Sequence, residues 1–257
     1  MAAGTRTLRL VEHHLLTQRR RWKSVALTAV GPVSFLIAVG VGLGHVIDRH
    51  GAMAGSGTYL QYLAPGLLAA TAMQTAANQN AYPVAGAARI GSTFDLMLMT
   101  PLRVWNICIG QLIWTALNLL VVLVPMWACT VVLGAMTGVR SLLALAAALM
   151  CGLAFGPAVA ALCAWLRGYA GIPVLLNLII TPLYFLGGVF FPLHRLPPGL
   201  QAAAQLTPLH HGVELTRELA AGPLQVTDAG LHTAVLAAYL VAGTWLAHRA
   251  FERRLLR

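Results

Sequence analysis

The sequence predicts an all-α integral membrane protein with six transmembrane helices. Three observations carry that expectation. Of its 257 residues 58% are hydrophobic and only 9% charged, whereas a soluble domain is about a quarter charged. Apolar runs recur at lengths near the roughly 20 residues that a bilayer crossing needs. Basic residues collect at the ends of those runs rather than within them. With a mean hydropathy of +0.75, this composition excludes an ordinary soluble enzyme, a disordered chain and a nucleic-acid-binding domain. The length suits one polytopic domain over residues 1–257 and leaves little for a soluble one.

The net charge of +10 is a matter of placement. Six of the 17 basic residues precede residue 24 and four lie in the last nine, so they read as topology signals and lipid-headgroup contacts. Residues 5–23 put Leu8, Val11, Leu15 and Trp22 near helical spacing among five arginines, which predicts an amphipathic helix lying in the membrane interface. The basic start is long and the first apolar run exceeds a signal-peptide core, so no cleavable signal is expected.

The expected spans are 25–47, 59–80, 104–134, 141–166, 171–191 and 230–248. The third exceeds one crossing, so it tilts, kinks near Pro125 or projects into water. With both termini cytoplasmic, thirteen basic residues fall inside and four (Arg49, Arg140, Arg195 and Arg217) outside. That asymmetry sets the orientation and predicts a multi-pass protein of the plasma (inner) membrane. Gly40-xxx-Gly44 and Gly152-xxx-Gly156 permit close helix approach. Cys108, Cys129, Cys151 and Cys163 all sit in apolar runs without a CxxC, so buried thiols are expected, neither disulfides nor metal ligands.

Three spans carry polar residues at helical spacing: Thr71, Gln74, Thr75 and Asn78 in the second, Gln111, Thr115 and Asn118 in the third, Asn177, Thr181 and Tyr184 in the fifth. Each set falls on one helix face. Such a face either bonds to a neighbouring helix or lines a substrate path, for which the sets in spans two and five are the candidates.

Residues 192–229 form a long external connection whose apolar content predicts short helices packed at the outer membrane surface. His210, His211 and Glu214 have a spacing that suits a metal on one helix turn, but no third cluster accompanies them and HExxH is absent. A solvated face with Arg217 and Glu218 is the expectation there. On the cytoplasmic side, Ser92-x-x-Asp95 has capping-box spacing, an apolar turn follows (Phe94, Leu96, Met97, Leu98), and Thr100-Pro101 stops it. A short apolar helix facing the cytosol should dock into something.

None of the seven acidic residues falls mid-span in this topology, and ion-coupled carriers keep an ionisable group there. There is also no GxxxxGK[ST] loop. A pump built on this chain therefore needs a partner for energy. A secondary carrier or channel, working without ATP, and an integral membrane lipid-modifying enzyme are the alternatives; the first lacks its intramembrane charge, the second a clustered acid–base set.

Residues 91–103 (GSTFDLMLMTPLR), followed by Ile109-Gly110-Gln111, resemble the loop after span two in ABC-2 type transport permeases. Residues 180–192 (ITPLYFLGGVFFP) with Leu196-Pro197, and 206–217 (LTPLHHGVELTR), resemble that family's signature over span five and its external helices. The second motif is most similar to the nodulation lipo-oligosaccharide exporter branch. Asp95 stands where that branch usually has Glu, and Pro101 occupies a variable position. The resemblance covers about residues 60–250. It implies the membrane subunit of an ATP-driven exporter of amphiphilic cargo. That subunit pairs with a second permease copy, or a homologous permease, and with two ABC ATPase subunits that hold ATP and magnesium, so this chain needs no cofactor and is no enzyme. It implies too that residues 92–100 are the coupling helix, with Ser92, Thr93, Phe94, Asp95, Leu96, Met97, Leu98 and Thr100 meeting the ATPase.

Overall fold

The computed structural model describes residues 22–49, 57–87, 104–165, 171–193, 196–220 and 225–255. The expected coupling helix lies outside the described residues, as does the interfacial helix apart from Trp22 and Lys23. Every regular element among the described residues is helical. Helix α1 (Trp22–Phe35) continues through a π-helical stretch (Leu36–Leu43) into α2 (Gly44–Arg49). Next come α3 (Tyr59–Ala87), α4 (Val104–Val132) and α5 (Arg140–Trp165). Helix α6 (Gly171–Leu175) runs through a second π stretch (Leu176–Ile180) into α7 (Thr181–Leu186). Two shorter helices, α8 (Pro198–Gln205) and α9 (Pro208–Ala220), precede the long α10 (Val226–Leu255).

Four of these segments are long and apolar enough to cross a membrane: Leu27–Arg49, Val104–Val132, Arg140–Trp165 and Val226–Arg253. Helix α4 remains one helix through Pro125. Its 29 residues, at 1.5 Å each, reach about 43 Å, more than the roughly 30 Å hydrocarbon layer. Helix α3 is equally long but is not among the four, because Thr, Gln and Asn dilute its hydropathy. It is nevertheless the most enclosed helix: every residue from Leu63 to Met73 is buried.

Helix α5 organises the bundle by packing against α3, α4, α9 and α10. Small residues make this possible. A Cβ on Gly152 would stand 2.8 Å from Leu119 Cδ1 and 3.0 Å from the carbonyl oxygen of Ala72, and one on Gly156 3.0 Å from Asn80 Nδ2. The Gly152-xxx-Gly156 pair therefore seats α3 and α4 within the chain. Gly40 and Gly44 likewise face Leu60 and Tyr59 of α3, so both pairs serve internal packing. In apolar surroundings dispersion and close backbone approach hold helices together, since lipid removes the hydrophobic drive between them.

The start of α3 is capped twice. Thr58 Oγ1 accepts from the Gln61 backbone N–H at 3.4 Å and Gln61 Oε1 from that of Thr58 at 3.2 Å, the reciprocal capping box. Asp48 at the end of α2 accepts from the Tyr59 N–H at 2.8 Å. Cys108, Cys151 and Cys163 are buried, Cys129 is half-buried, and all four are free thiols.

Gly152→Val should lower the thermal unfolding temperature in detergent, at the roughly 1–3 kcal/mol that overpacking costs. Gly31→Ala is the internal control. No atom lies within 4 Å of its Cβ position, so it should be neutral or stabilise by up to about 1 kcal/mol.

Candidate functional site

The second-span set has two fates. Thr71 is buried and Thr75 half-buried, while Gln74 and Asn78 are exposed and Tyr82, one turn on, is 46% exposed. Gln74, Asn78 and Tyr82 thus form a strip at i, i+4 and i+8 along α3 that is exposed among the described residues. In the fifth-span segment Asn177 and Thr181 are exposed and Tyr184 half-buried. The π stretch shifts their register: Thr181 Oγ1 donates to the Leu176 carbonyl at 3.2 Å, five residues back. The same π stretch packs on α3, which brings the two polar segments into neighbouring positions.

The third-span set faces the other way. Asn80 donates from Nδ2 to Thr115 Oγ1 at 3.1 Å and to the Ala76 carbonyl at 2.8 Å. Its Oδ1 accepts from Gln111 Nε2 at 3.2 Å, and Thr115 donates to the Gln111 carbonyl at 2.8 Å. Asn118 donates to the Trp114 carbonyl at 2.9 Å. These residues tie α3 to α4 rather than lining an open surface. Asn80, the centre of the network, is not in the sequence-derived set; it lies on the face of α3 opposite Thr71, and only the packing of α4 gives it partners.

Several positions of the 206–217 motif have a structural explanation. Thr207 Oγ1 accepts from the His210 N–H at 3.4 Å, and Pro208 follows as first helical residue, where its missing N–H costs nothing. Gly212 seats α9 against Cys151 of α5 so closely that a Cβ would overlap the thiol. Arg217 closes the motif. Its Nη2 donates to the carbonyls of Gly188 at 2.6 Å and Val189 at 3.2 Å, its Nε to that of Tyr62 at 3.3 Å, and its Nη1 to Glu214 Oε1 at 3.0 Å. The guanidinium carbon stands 3.8 Å over the Tyr62 ring, and the side chain is 15% exposed. Tyr62 Oη also donates to the Gly188 carbonyl, at 3.2 Å. Gly188, at φ +79°, turns the chain out of α7 in the left-handed region where glycine carries no steric penalty.

The ABC-2 type transporter family matches over residues 8–220. The chain belongs to that family. Curated relatives include nodulation protein J of Rhizobium leguminosarum bv. trifolii, 31% identical over 92% of this chain and 90% of the relative. Nodulation protein J of Rhizobium meliloti (strain 1021) is 28% identical over 91% of this chain and 90% of its own. That of R. leguminosarum bv. viciae is 30% identical over 92% and 91%.

An ABC-2 type transporter chain with four apolar crossing-length helices is a multi-pass membrane protein and a transport subunit. Its expected solvated face on α9 needs correction. Arg217 is clamped as described, and His210 and His211 are half-buried against His232 of α10. His232 could not be paired with them from spacing, because it lies 21 residues from His211 on another helix. No group of three His, Cys, Asp or Glu side chains among the described residues is arranged to hold a metal ion.

Arg217→Leu removes the hydrogen bonds to three carbonyls and the ring contact. Charged hydrogen bonds of this kind are worth about 1.5–3 kcal/mol each, so the variant should lose at least about 3 kcal/mol of unfolding free energy. Arg217→Lys keeps the charge without the planar fork and should recover only part of it, as read by thermal unfolding of both variants in one detergent.

Proposed function

We propose that this chain is the permease subunit of an ATP-driven exporter, moving an amphiphilic substrate such as a lipid, glycolipid, polysaccharide or drug outward. One observation supports the reading most: in an ABC-2 type transporter chain, Gln74 and Asn78 on the 29-residue α3, and Asn177 and Thr181 on the shorter apolar Gly171–Leu186 segment, are exposed polar side chains. Lipid cannot hydrogen-bond to an amide, and burying one unpaired costs about 2 kcal/mol or more. Such faces belong against a partner or a wetted path. With Thr71, Thr75 and Tyr184 they form the proposed substrate route. Its modest polarity fits a cargo with both polar and apolar parts.

The proposed topology has six spans, in the plasma (inner) membrane, with both termini cytoplasmic. Helix α3 and the α6–α7 segment supply the second and fifth crossings, and α8 and α9 lie outside. A second permease copy or homologous permease covers part of the apolar flank left by α1, where Leu27, Ile37 and Val46 are about half or more exposed. Two ATPase subunits bind ATP and magnesium and dock on Ser92, Thr93, Phe94, Asp95, Leu96, Met97, Leu98 and Thr100. Closure of the ATPase pair then rocks the helices.

Three experiments test this reading. Asn78→Leu with Asn177→Leu should lower transport in proteoliposomes while the complex still assembles; unchanged transport would remove these faces from the route. Phe94→Ala should weaken co-purification of the cognate ATPase roughly 30-fold, the equivalent of about 2 kcal/mol from one aromatic anchor. The purified chain alone should hydrolyse no ATP above a mock preparation.

A further inference from the structure

Helices α9 and α10 meet through histidines. His211 Nδ1 lies 2.8 Å from His232 Nδ1, and the two rings stand 5.0 Å apart, with that of His210 5.4 Å from His211 and 6.2 Å from His232. An Nδ1-to-Nδ1 contact at this distance requires one ring to donate and the other to accept. A proton on the accepting nitrogen turns the bond into two opposed N–H groups. His210 Nδ1 is buried with no hydrogen-bond partner, so a proton placed on that nitrogen would have no acceptor. We propose that His210, His211 and His232 form a proton-sensitive joint that holds α9 on α10 while the rings are neutral and releases it on acidification.

The charged groups around the joint do not cancel this response. On α9, Glu214 is committed to Arg217 at 3.0 Å. Glu218 Oε1 lies 4.0 Å from His232 Nε2, and burial raises the Glu218 carboxyl above its usual range, so acid also weakens that counter-charge. Asp228, in the first turn of α10, raises Glu218 further. From α5, Arg140 Nη2 donates to the Glu218 carbonyl at 2.8 Å and adds positive charge nearby. Tyr62 of α3 meets Arg217 rather than the rings.

Burial, against an opposing pull from Glu214, holds His210 down at about 4. Burial and then the neighbouring His232 lower His211, with a backbone hydrogen bond at Gln205 opposing. The unfolded or separated state, with ordinary histidines near 6.5, binds more protons between those values. Stability therefore rises with pH across the window: the joint is intact above about 6.5 and is lost as pH falls toward 4.

The full chain in lipid nanodiscs provides the test, and neither transport nor sidedness enters it, so its failure is distinct from failure of the exporter reading. Between about pH 7.5 and about pH 5 the wild-type melting temperature should fall by roughly 5 °C more than that of the His210→Gln/His211→Gln/His232→Gln variant, from the displacement of His210 toward about 4 and the usual temperature equivalent. Equal falls in the two proteins would overturn the proposal. Histidine ring NMR on the wild type keeps it falsifiable if the variant does not fold. At least two of the nine imidazoles should titrate below 6.5, and a spectrum in which fewer than two do would overturn it.

Discussion

Where a chain turns out of a helix inside a packed bundle, the carbonyls of the turn need donors, and one guanidinium supplies them here. Helix α7 ends at Leu186 and the chain turns at Gly188, leaving the Gly188 and Val189 oxygens facing α3. Arg217 reaches across from α9 and donates to both, and to Tyr62 of α3. Its planar fork suits several acceptors at once. Three separate parts of the chain are thereby fixed at one point: the entry to α3, the exit from α7 and the face of α9. An apolar side chain at this position would strip the buried Val189 oxygen of this donor, and an unsatisfied buried acceptor costs more than the bond itself contributes.

Two kinds of polar residue coexist in the helices, and packing separates them. Asn80, Gln111 and Thr115 bond to one another across α3 and α4, so they hold the bundle. Gln74, Asn78, Asn177 and Thr181 lie outside the packed interior. The π stretch at Leu176–Ile180 belongs to this second group. It widens the helix next to α3 and rotates the residues that follow, and such insertions recur at functional positions.

Small residues on α5 and polar bonds on α9 act on the same helix from opposite sides. Gly152 and Gly156 let α3 approach to backbone contact, while Arg217 holds its first turns. Helix α3 is enclosed over Leu63–Met73 and exposed at Gln74, Asn78 and Tyr82. A polar helix too dilute in hydropathy to stand out as a crossing segment sits at the centre, where neighbours replace both water and lipid as its solvent.

Composition and basic-residue placement were enough to fix the class: apolar runs of bilayer length can only bury their backbone polar groups as helices here, and four such helices are present. The residues of the 206–217 motif were also legible, down to Arg217 and Glu214, but as a string whose reasons lay elsewhere in the chain. Sequence spacing grouped Gln111, Thr115 and Asn118 on one face without showing that Asn80 would meet them. It placed His210, His211 and Arg217 on a solvated face because it could not bring His232, Tyr62 and Gly188 alongside. Local periodicity reports which side of a helix a residue occupies, through the fixed 3.6-residue turn. Which neighbour fills that side depends on contacts between distant segments, and only the tertiary packing of α9 against α3, α5 and α10 decided whether a polar side chain became a clamp, a bridge, a joint or an open face.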